Sequence, residues 1–493
     1  MAGIAGIISQ NGKITTNSTK ELRNMLKLMR HRGPDNSIIR TLINDRGAMG
    51  ANEVNLTPTT TFCTALEEKP YILFDGELYN ERSKDQSDIE IFKEYYAEYK
   101  RDCFSHLNGN FSCAIVEKDD EVILARDHVG PRPLFFGADN GVFYFSTEMK
   151  GLVDYVQFNI QELAPGCLYS TRKGMKEFKP FTPELPEVGD LKETAHMLRE
   201  LLIDAVQKRM DGVGGIAMSG GLDSSIVAVI AKEFNPDLKL FTGTVENTPG
   251  PDLENAKLMA KYLGVEHHIY NISHSDITNF VSDAVWYLES FDGDQINGII
   301  SNYYVSKMAK EYTNIILVGE GADELFGGYR MVLKNPMVKT DEQRAQLAQK
   351  LLEISYNTAL GRLDRGWMAN AVAYRAPFLD PRVVAFSKKI PMKWKLYGEK
   401  QVEKFILREA FRDMLPEKIA NREKLRFSMG VGIDDVMDEI IAEKIDPKEI
   451  KERPKAAYGM PFDSFKELYY YDEFLRVFPP SYEKQVIRWD PFK

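Results

Sequence analysis

Two rhythms of apolar residues divide the chain. Over residues 1–175 the apolar runs are short and punctuated by glycine: Tyr71-Ile72-Leu73-Phe74, Phe111–Val116, Val122–Leu124 and Val142–Phe145. Runs of that length between turn residues predict strands in stacked, mostly antiparallel sheets. Phe178–Gly189 then carries Pro180, Pro183 and Pro186 and reads as a linker. From Asp190 the period lengthens. A helix over 191–209 leads to a strand at 215–218, a helix at 225–234 and a strand at 238–242. A helix over 252–263 and strands at 267–270 and 315–318 follow, and 340–493 reads as largely helical. Alternating strand and helix predicts a parallel sheet covered on both faces, with ligands at its carboxyl edge. The expected class is α/β: an α+β unit over 1–177, a linker over 178–190 and a parallel-sheet unit over 191–493.

Composition narrows the function. At 43% hydrophobic and 28% charged residues, the chain falls among ordinary globular proteins. A formal net charge of −10 argues against a nucleic-acid binder. Cys63, Cys103, Cys113 and Cys167 lack metal-ligand spacing and suit a reducing cytoplasm. No apolar run nears the roughly 18 residues of a membrane span. The opening Met1–Ile8 is apolar without a basic leader, so it is not read as a signal peptide.

The chemistry concentrates at the predicted sheet edge. Ser219-Gly220-Gly221-Leu222-Asp223-Ser224-Ser225 lies between a strand and a helix. Its glycines let backbone N–H groups approach an anion, and the helix start adds positive potential. The serine hydroxyls can donate to phosphate oxygens, and Asp223 can hold Mg²⁺. No lysine follows the glycines, so this is not the loop that grips a γ-phosphate; it resembles the loop of ATP pyrophosphatases. After the strand at 315–318 comes Gly319-Glu320-Gly321-Ala322-Asp323-Glu324, where Asp323 is the expected second Mg²⁺ ligand. Nucleotide contacts are expected from Met218, Ser219, Gly220, Gly221, Asp223, Ser224, Ser225, Gly243, Val318 and Gly319. A basic loop, Arg422–Gly432, offers cations for charge developing on the phosphates. His267 and His268 are adjacent on a strand, point to opposite faces and are read as structural.

Taken together these stretches resemble the glutamine-dependent asparagine synthetase family, from end to end. Ser219–Ser225, Gly319–Tyr329, Arg375–Asp380, Arg422–Gly432 and the tail Phe465–Tyr471 match its synthetase half in order. Arg30–Asp35, Gly76–Asn80, Ser87-Asp88, Arg126–Gly130 and Arg132–Phe135 match its glutaminase half. The resemblance implies an N-terminal-nucleophile glutaminase fold, then a domain like the adenine nucleotide α-hydrolases. It also implies adenylation of a side-chain carboxylate by ATP, displacement of AMP by ammonia, and Lys424 as the catalytic lysine beside Asp223 and Asp323.

The chain departs from that pattern at specific positions. Where the family has its nucleophilic cysteine stands Ala2, which cannot form a thioester. Glu53 replaces the arginine that holds the glutamine carboxylate, and Asp75 replaces an amide of the oxyanion hole. The acceptor wall keeps Glu289 and Asp292, gives Asp294 and Asn297 where the family has threonine and arginine, and puts Ala373 in place of a glutamate beside Tyr374. The expected activity is therefore AMP- and pyrophosphate-forming amide synthesis with ATP and Mg²⁺, on an acceptor larger or less anionic than aspartate. Free ammonia or an amine is the expected nucleophile. The alternatives are an ammonia-fed asparagine synthetase, a lactam-forming enzyme and a non-catalytic nucleotide-binding regulator. A small-molecule carboxylate and a homodimer are the expected partners, with neither nucleic acid nor membrane.

Overall fold

The computed structural model describes residues 2–10, 17–42, 46–57, 64–83, 86–157, 159–181, 183–247, 250, 252–423, 431–446 and 448–488. Lys424 and most of the basic loop lie outside the described residues.

Residues 2–177 build two antiparallel six-stranded sheets. The strands are β1 (Ala2–Ser9), β2 (Asn36–Thr41), β3 (Gly47–Glu53), β4 (Thr64–Ala65), β5 (Tyr71–Leu78) and β6 (Gly109–Val116). They continue with β7 (Val122–Arg126), β8 (Phe135–Asp139), β9 (Val142–Ser146), β10 (Gln161–Glu162), β11 (Cys167–Ser170) and β12 (Gly174–Glu177). One sheet runs β10-β8-β9-β1-β3-β2 and the other β12-β11-β7-β6-β5-β4. Ile4, Ile8, Met49, Leu73, Phe136 and Phe145 share the core between them. Strand β1 is buried along its whole length, which explains its unbroken small and apolar sequence. A Cβ on Gly6 would fall 2.2 Å from the Phe145 ring, so glycine is required there. The outer faces are covered by α1 (Ser18–Leu28) and α2 (Asp88–Tyr99), the latter opened by a capping box at Ser87.

Beyond the linker, α3 (Leu191–Gln207) leads into the expected parallel sheet. Its strands are β13 (Gly215–Ala217), β14 (Lys239–Val245), β15 (His267–Ile272), β16 (Ile315–Leu317) and β17 (Ala373–Arg375), in the order β15-β14-β13-β16-β17. Helices α4 (Leu222–Phe234), α5 (Asp252–Leu263), α6 (His274–Leu288), α7 (Gly293–Ala309), α8 (Ala322–Phe326) and α9 (Ala359–Met368) connect and cover the strands. Strand order reverses at β13, whose successors lie on one side and β16 and β17 on the other. That switch point opens a crevice at the carboxyl edge. Two boundaries differ from expectation. Helix α4 begins at Leu222, three residues early, because Gly221 serves as its N-cap and draws Asp223–Ser225 into the first turns. Strand β17 lies within the stretch read as helical; at three residues it leaves no alternating signature.

Further helices of the second half include α10 (Phe405–Phe411), α11 (Ile433–Lys444) and α12 (Phe465–Phe474). One core runs from Leu22 and Met25 of α1 through Val281 and Ile300 to Tyr470 and Phe474 of α12, and so joins the halves. The tail adds polar ties: Tyr482 donates to the Val156 carbonyl and Gln485 to that of Ile160, each at 2.6 Å. Among the described residues no helix is long and apolar enough to cross a membrane.

Candidate active site

The glycine loop after β13 turns on Gly220, whose φ of +67° and whose missing Cβ, 2.5 Å from the Ala256 nitrogen, admit no other residue without strain. Its entry is fixed by the Met218 N–H donating to Phe241 at 2.8 Å and by Thr242 donating to the Met218 carbonyl at 2.7 Å. His267 Nε2 lies 2.8 Å from that same Thr242 hydroxyl, while His268 stacks on Phe241 and Tyr312, as the structural reading expected. The hydroxyls of Ser219 and Ser224 sit 3.1 Å apart. Buried Ser225 Oγ and Asp223 Oδ1 have no hydrogen-bond partner among the described residues. An unmet hydroxyl at a helix N-terminus is what a phosphate oxygen would satisfy, and an unmet carboxylate oxygen is what a cation would.

The acidic loop after β16 closes against this one. A Cβ on Gly319 would meet the Ser224 nitrogen at 2.8 Å. Asp323 and Asp223 converge on a residue the sequence reading missed, Lys404. Its Nζ lies 2.5 Å from Asp223 Oδ2 and 2.6 Å from Asp323 Oδ1, with the side chain buried. Lys404 caps α10 in a left-handed conformation, φ +54°. In the sequence it stands as one cation before Phe405-Ile406-Leu407 and carries no periodic signal. Gly328 is held just as tightly, since a Cβ there would fall 1.8 Å from Asp323 Oδ1. Tyr329 donates to Glu324 Oε1 at 2.6 Å. Burial, then the neighbouring Asp323, pushes Glu324 up to about 7. Arg422, at the described edge of the basic loop, donates to the Gly220 carbonyl at 2.6 Å and pairs with Asp252. Of the other nucleotide positions, Val318 is buried and donates its N–H to the Arg375 carbonyl at 3.0 Å, and Gly243 is covered by Val305 and Ser301 of α7.

The three altered glutaminase positions also converge. Ala2 pairs with Glu53 across β1 and β3, and the Ala2 N–H donates to Asp75 Oδ1 at 2.8 Å. Asn36 donates to Glu53 at 3.1 Å, and Arg32 Nε to the Ala2 carbonyl at 3.1 Å.

The expected acceptor wall does not assemble as a wall. Glu289 accepts from the Met149 and Lys150 N–H groups at 2.9 and 2.7 Å and from Arg365 at 2.7 Å, so it holds the two halves together. Tyr374 lies under Arg132, 4.4 Å from ring to guanidinium, and donates to the Pro131 carbonyl. Ala373 is buried in the core at the start of β17, away from the carboxyl edge. Asp292 accepts from the Gln295 N–H and caps α7. Both ends of the Asn297 amide are engaged, Nδ2 donating to Asp434 and Oδ1 accepting from Tyr470, each at 2.8 Å. Asp294 alone of the six is exposed. A side chain aligned with a family's substrate contact can thus serve packing instead, and sequence spacing does not tell the two apart.

Between the halves lies a buried ionic lattice. Arg32 donates to Asp364 at 2.7 Å and to Glu148 at 3.1 Å, and Arg132 donates to Asp364 at 2.8 Å. Lys150 donates to Glu148 at 2.7 Å and lies 3.2 Å from Glu289, while Asp75 sits 3.7 Å from Arg32. Beside it Arg375 grips Glu77 at 2.7 Å; burial pushes that carboxyl up, but Arg375 outweighs it and holds it at about 2.

Comparison with known proteins agrees with these two halves. The family described as asparagine synthase matches residues 197–357 and 338–484, and the glutamine amidotransferase domain matches 1–173. Asparagine synthetase B [glutamine-hydrolyzing] of Escherichia coli is 30% identical, over 93% of this chain and 88% of its own. The glutamine-hydrolyzing asparagine synthetase of Zea mays is 28% identical over 99% and 89%, and asparagine synthetase 1 of Arabidopsis thaliana 30% over 97% and 87%. The chain belongs to the asparagine synthase family of ATP-dependent carbon–nitrogen ligases.

Proposed function

We propose that the chain activates a small-molecule carboxylate with ATP and joins it to ammonia or an amine, without hydrolysing glutamine. Residues 191–493 would carry the chemistry, with 1–177 as a retained glutaminase-like unit and 178–190 as linker. The observation that carries this reading is the pairing of an intact phosphate crevice, Asp223 and Asp323 on Lys404, with Ala2, Glu53 and Asp75 in the other half.

In the crevice, the α4 N-terminus and the Ser219, Ser224 and Ser225 hydroxyls would bind phosphate oxygens. Asp223 and Asp323 would hold Mg²⁺, which when bound neutralises charge on the leaving pyrophosphate. Among the described residues no third His, Cys, Asp or Glu joins them, so phosphate oxygens and water would complete the shell. The acceptor carboxylate attacks the α-phosphorus, pyrophosphate leaves, and the amine then displaces AMP from the acyl carbon. Lys404 and Lys424 would stabilise the charge that develops on the phosphates.

The test is ATP–pyrophosphate exchange across a panel of carboxylic acids, followed by product mass with ammonium or glutamine as nitrogen source. Exchange, and amide from ammonium alone, are expected. Ala2→Cys should not release glutamate, because Glu53 still opposes the substrate carboxylate. Glutamate from either protein, or no exchange with any acid, overturns the proposal. Asparagine as the product would identify the ammonia-fed synthetase, and cyclisation without added amine the lactam-forming one.

A further inference from the structure

We infer that Arg362 is the specificity-determining residue for the acceptor, holding an anionic group other than the carboxyl that is activated. This rests on the synthetase reading above and names the chemistry of the same site.

The resemblance expects an arginine on α7 at position 297, and both ends of the Asn297 amide there are already engaged with α11 and α12. The next residue, Gly298, is bare, and the facing helix α9 uses that space. A Cβ on Gly298 would fall 2.2 Å from Arg362 Cδ and 2.7 Å from both Nε and Nη1. Arg362 therefore lies directly across α7, delivering a guanidinium from α9 to the face where α7 supplies none. A Cβ on Gly366, one turn along α9, would fall 2.5 Å from Asn302 Cβ, so two glycines allow α7 and α9 their close approach. Arg362 remains only partly buried.

Three relations place this guanidinium at the reacting edge. Helix α7 packs on β14 through Ser301 and Val305 over Gly243, and its first turns extend past the carboxyl end of that strand. Burial, then Glu324 and Asp323, push the Tyr329 phenol up, and the Arg362 guanidinium opposes them. Tyr329 in turn bonds to Glu324, the neighbour of Asp323. Asp294 stands one turn before Gly298 on the same face of α7, because residues four apart share a face. The acceptor would thus meet a guanidinium beside an exposed carboxylate. A planar guanidinium selects a carboxylate or phosphate by paired hydrogen bonds. The less anionic acceptor was expected from the lost cation at 297 and from the like charge of Asp294; Arg362 would supply the missing cation, with Asp294 still beside it. The reason to expect a larger one was space at Ala373, which is buried in the core.

The experiment compares aspartate, glutamate and glutarate with the amide of each that leaves the reacting carboxyl free but neutralises the second. Binding is read as the rise in thermal midpoint with ATP and Mg²⁺, and turnover as pyrophosphate exchange. At least one diacid should shift the midpoint and be favoured over its amide by about thirtyfold or more in kcat/KM, the scale for removing one partner of a buried charge pair. Arg362→Ala should erase that preference through KM, and Arg362→Lys should restore part of it. A preference that survives Arg362→Ala, or no diacid shifting the wild-type midpoint, overturns the proposal. Diacid binding lost in Arg362→Ala, with no exchange in any protein, would leave Arg362 assigned and sink the synthetase reading instead.

Discussion

A single lysine decides the electrostatics of the crevice. Asp223 and Asp323 would repel each other at the sheet switch point, and Lys404, buried between them, pairs with both. Lys404→Met should lower acceptor-dependent pyrophosphate exchange by about 10²- to 10³-fold, the range for one oriented charge at a transition state. Exchange within a few-fold of wild type would assign Lys404 to packing alone. Lys424→Ala is expected to show the same loss. Glu324 gives a second prediction. Burial, then Asp323, raises it from an ordinary value of 4.5 to about 7. Between those values the folded protein binds this proton more tightly than the unfolded chain does. Its stabilising effect is therefore complete below about pH 4.5 and declines as pH rises through 7. Urea midpoints should show a steeper decline for wild type than for Glu324→Gln across pH 5 to 7.5; parallel profiles would contradict the shift.

At the scale of elements, close approach rather than contact area sets the geometry. The acidic loop can sit on Lys404 only because Gly328 has no side chain. Gly328→Ala should displace Asp323 and abolish exchange while circular dichroism shows the fold retained. Unchanged exchange would mean the loop tolerates a shift of an ångström or more. The same physics explains what could be read from the sequence. Strands β5, β6, β7, β9 and β14 and helix α5 announced themselves by runs or period, and the glycine and acidic loops by residue type between a strand and a helix. Strand β17 was too short to carry a pattern. Lys404 was hidden because one buried lysine looks like any surface lysine until its partners, 181 residues away in the case of Asp223, fold beside it. Glu289, Asn297 and Tyr374 have protein partners that could not be read from the sequence, for the complementary reason. Alignment fixes a position along the chain, while the side chain's partners come from α9, α11, α12 and the other half of the molecule.

For the molecule as a whole, the lattice between the halves governs cooperativity. Asp364 is fully buried, with Arg32 and Arg132 both on it. Asp364→Asn would strand two guanidinium groups in the joint, at a cost of about 3–5 kcal/mol. Calorimetry should show one transition for wild type and, for the variant, a lowered transition that splits as the halves uncouple. A single unshifted transition would show that the apolar core carries the joint unaided. The partition of charge across that lattice bears on descent. The first half contributes Arg32, Arg132 and Lys150 against Asp75 and Glu148, and the second contributes Arg365 against Asp364 and Glu289. Neither half is neutral there alone; the first has one positive charge too many and the second one negative. A lineage that stopped using glutamine could shed the nucleophile by one tolerated substitution, but not the domain around it. Each single loss in the joint would leave a buried ion without its counterpart, so change there must come in matched pairs. Selection for a folded synthetase is then enough to preserve an amidotransferase domain for as long as the enzyme is needed, whether or not that domain turns over glutamine.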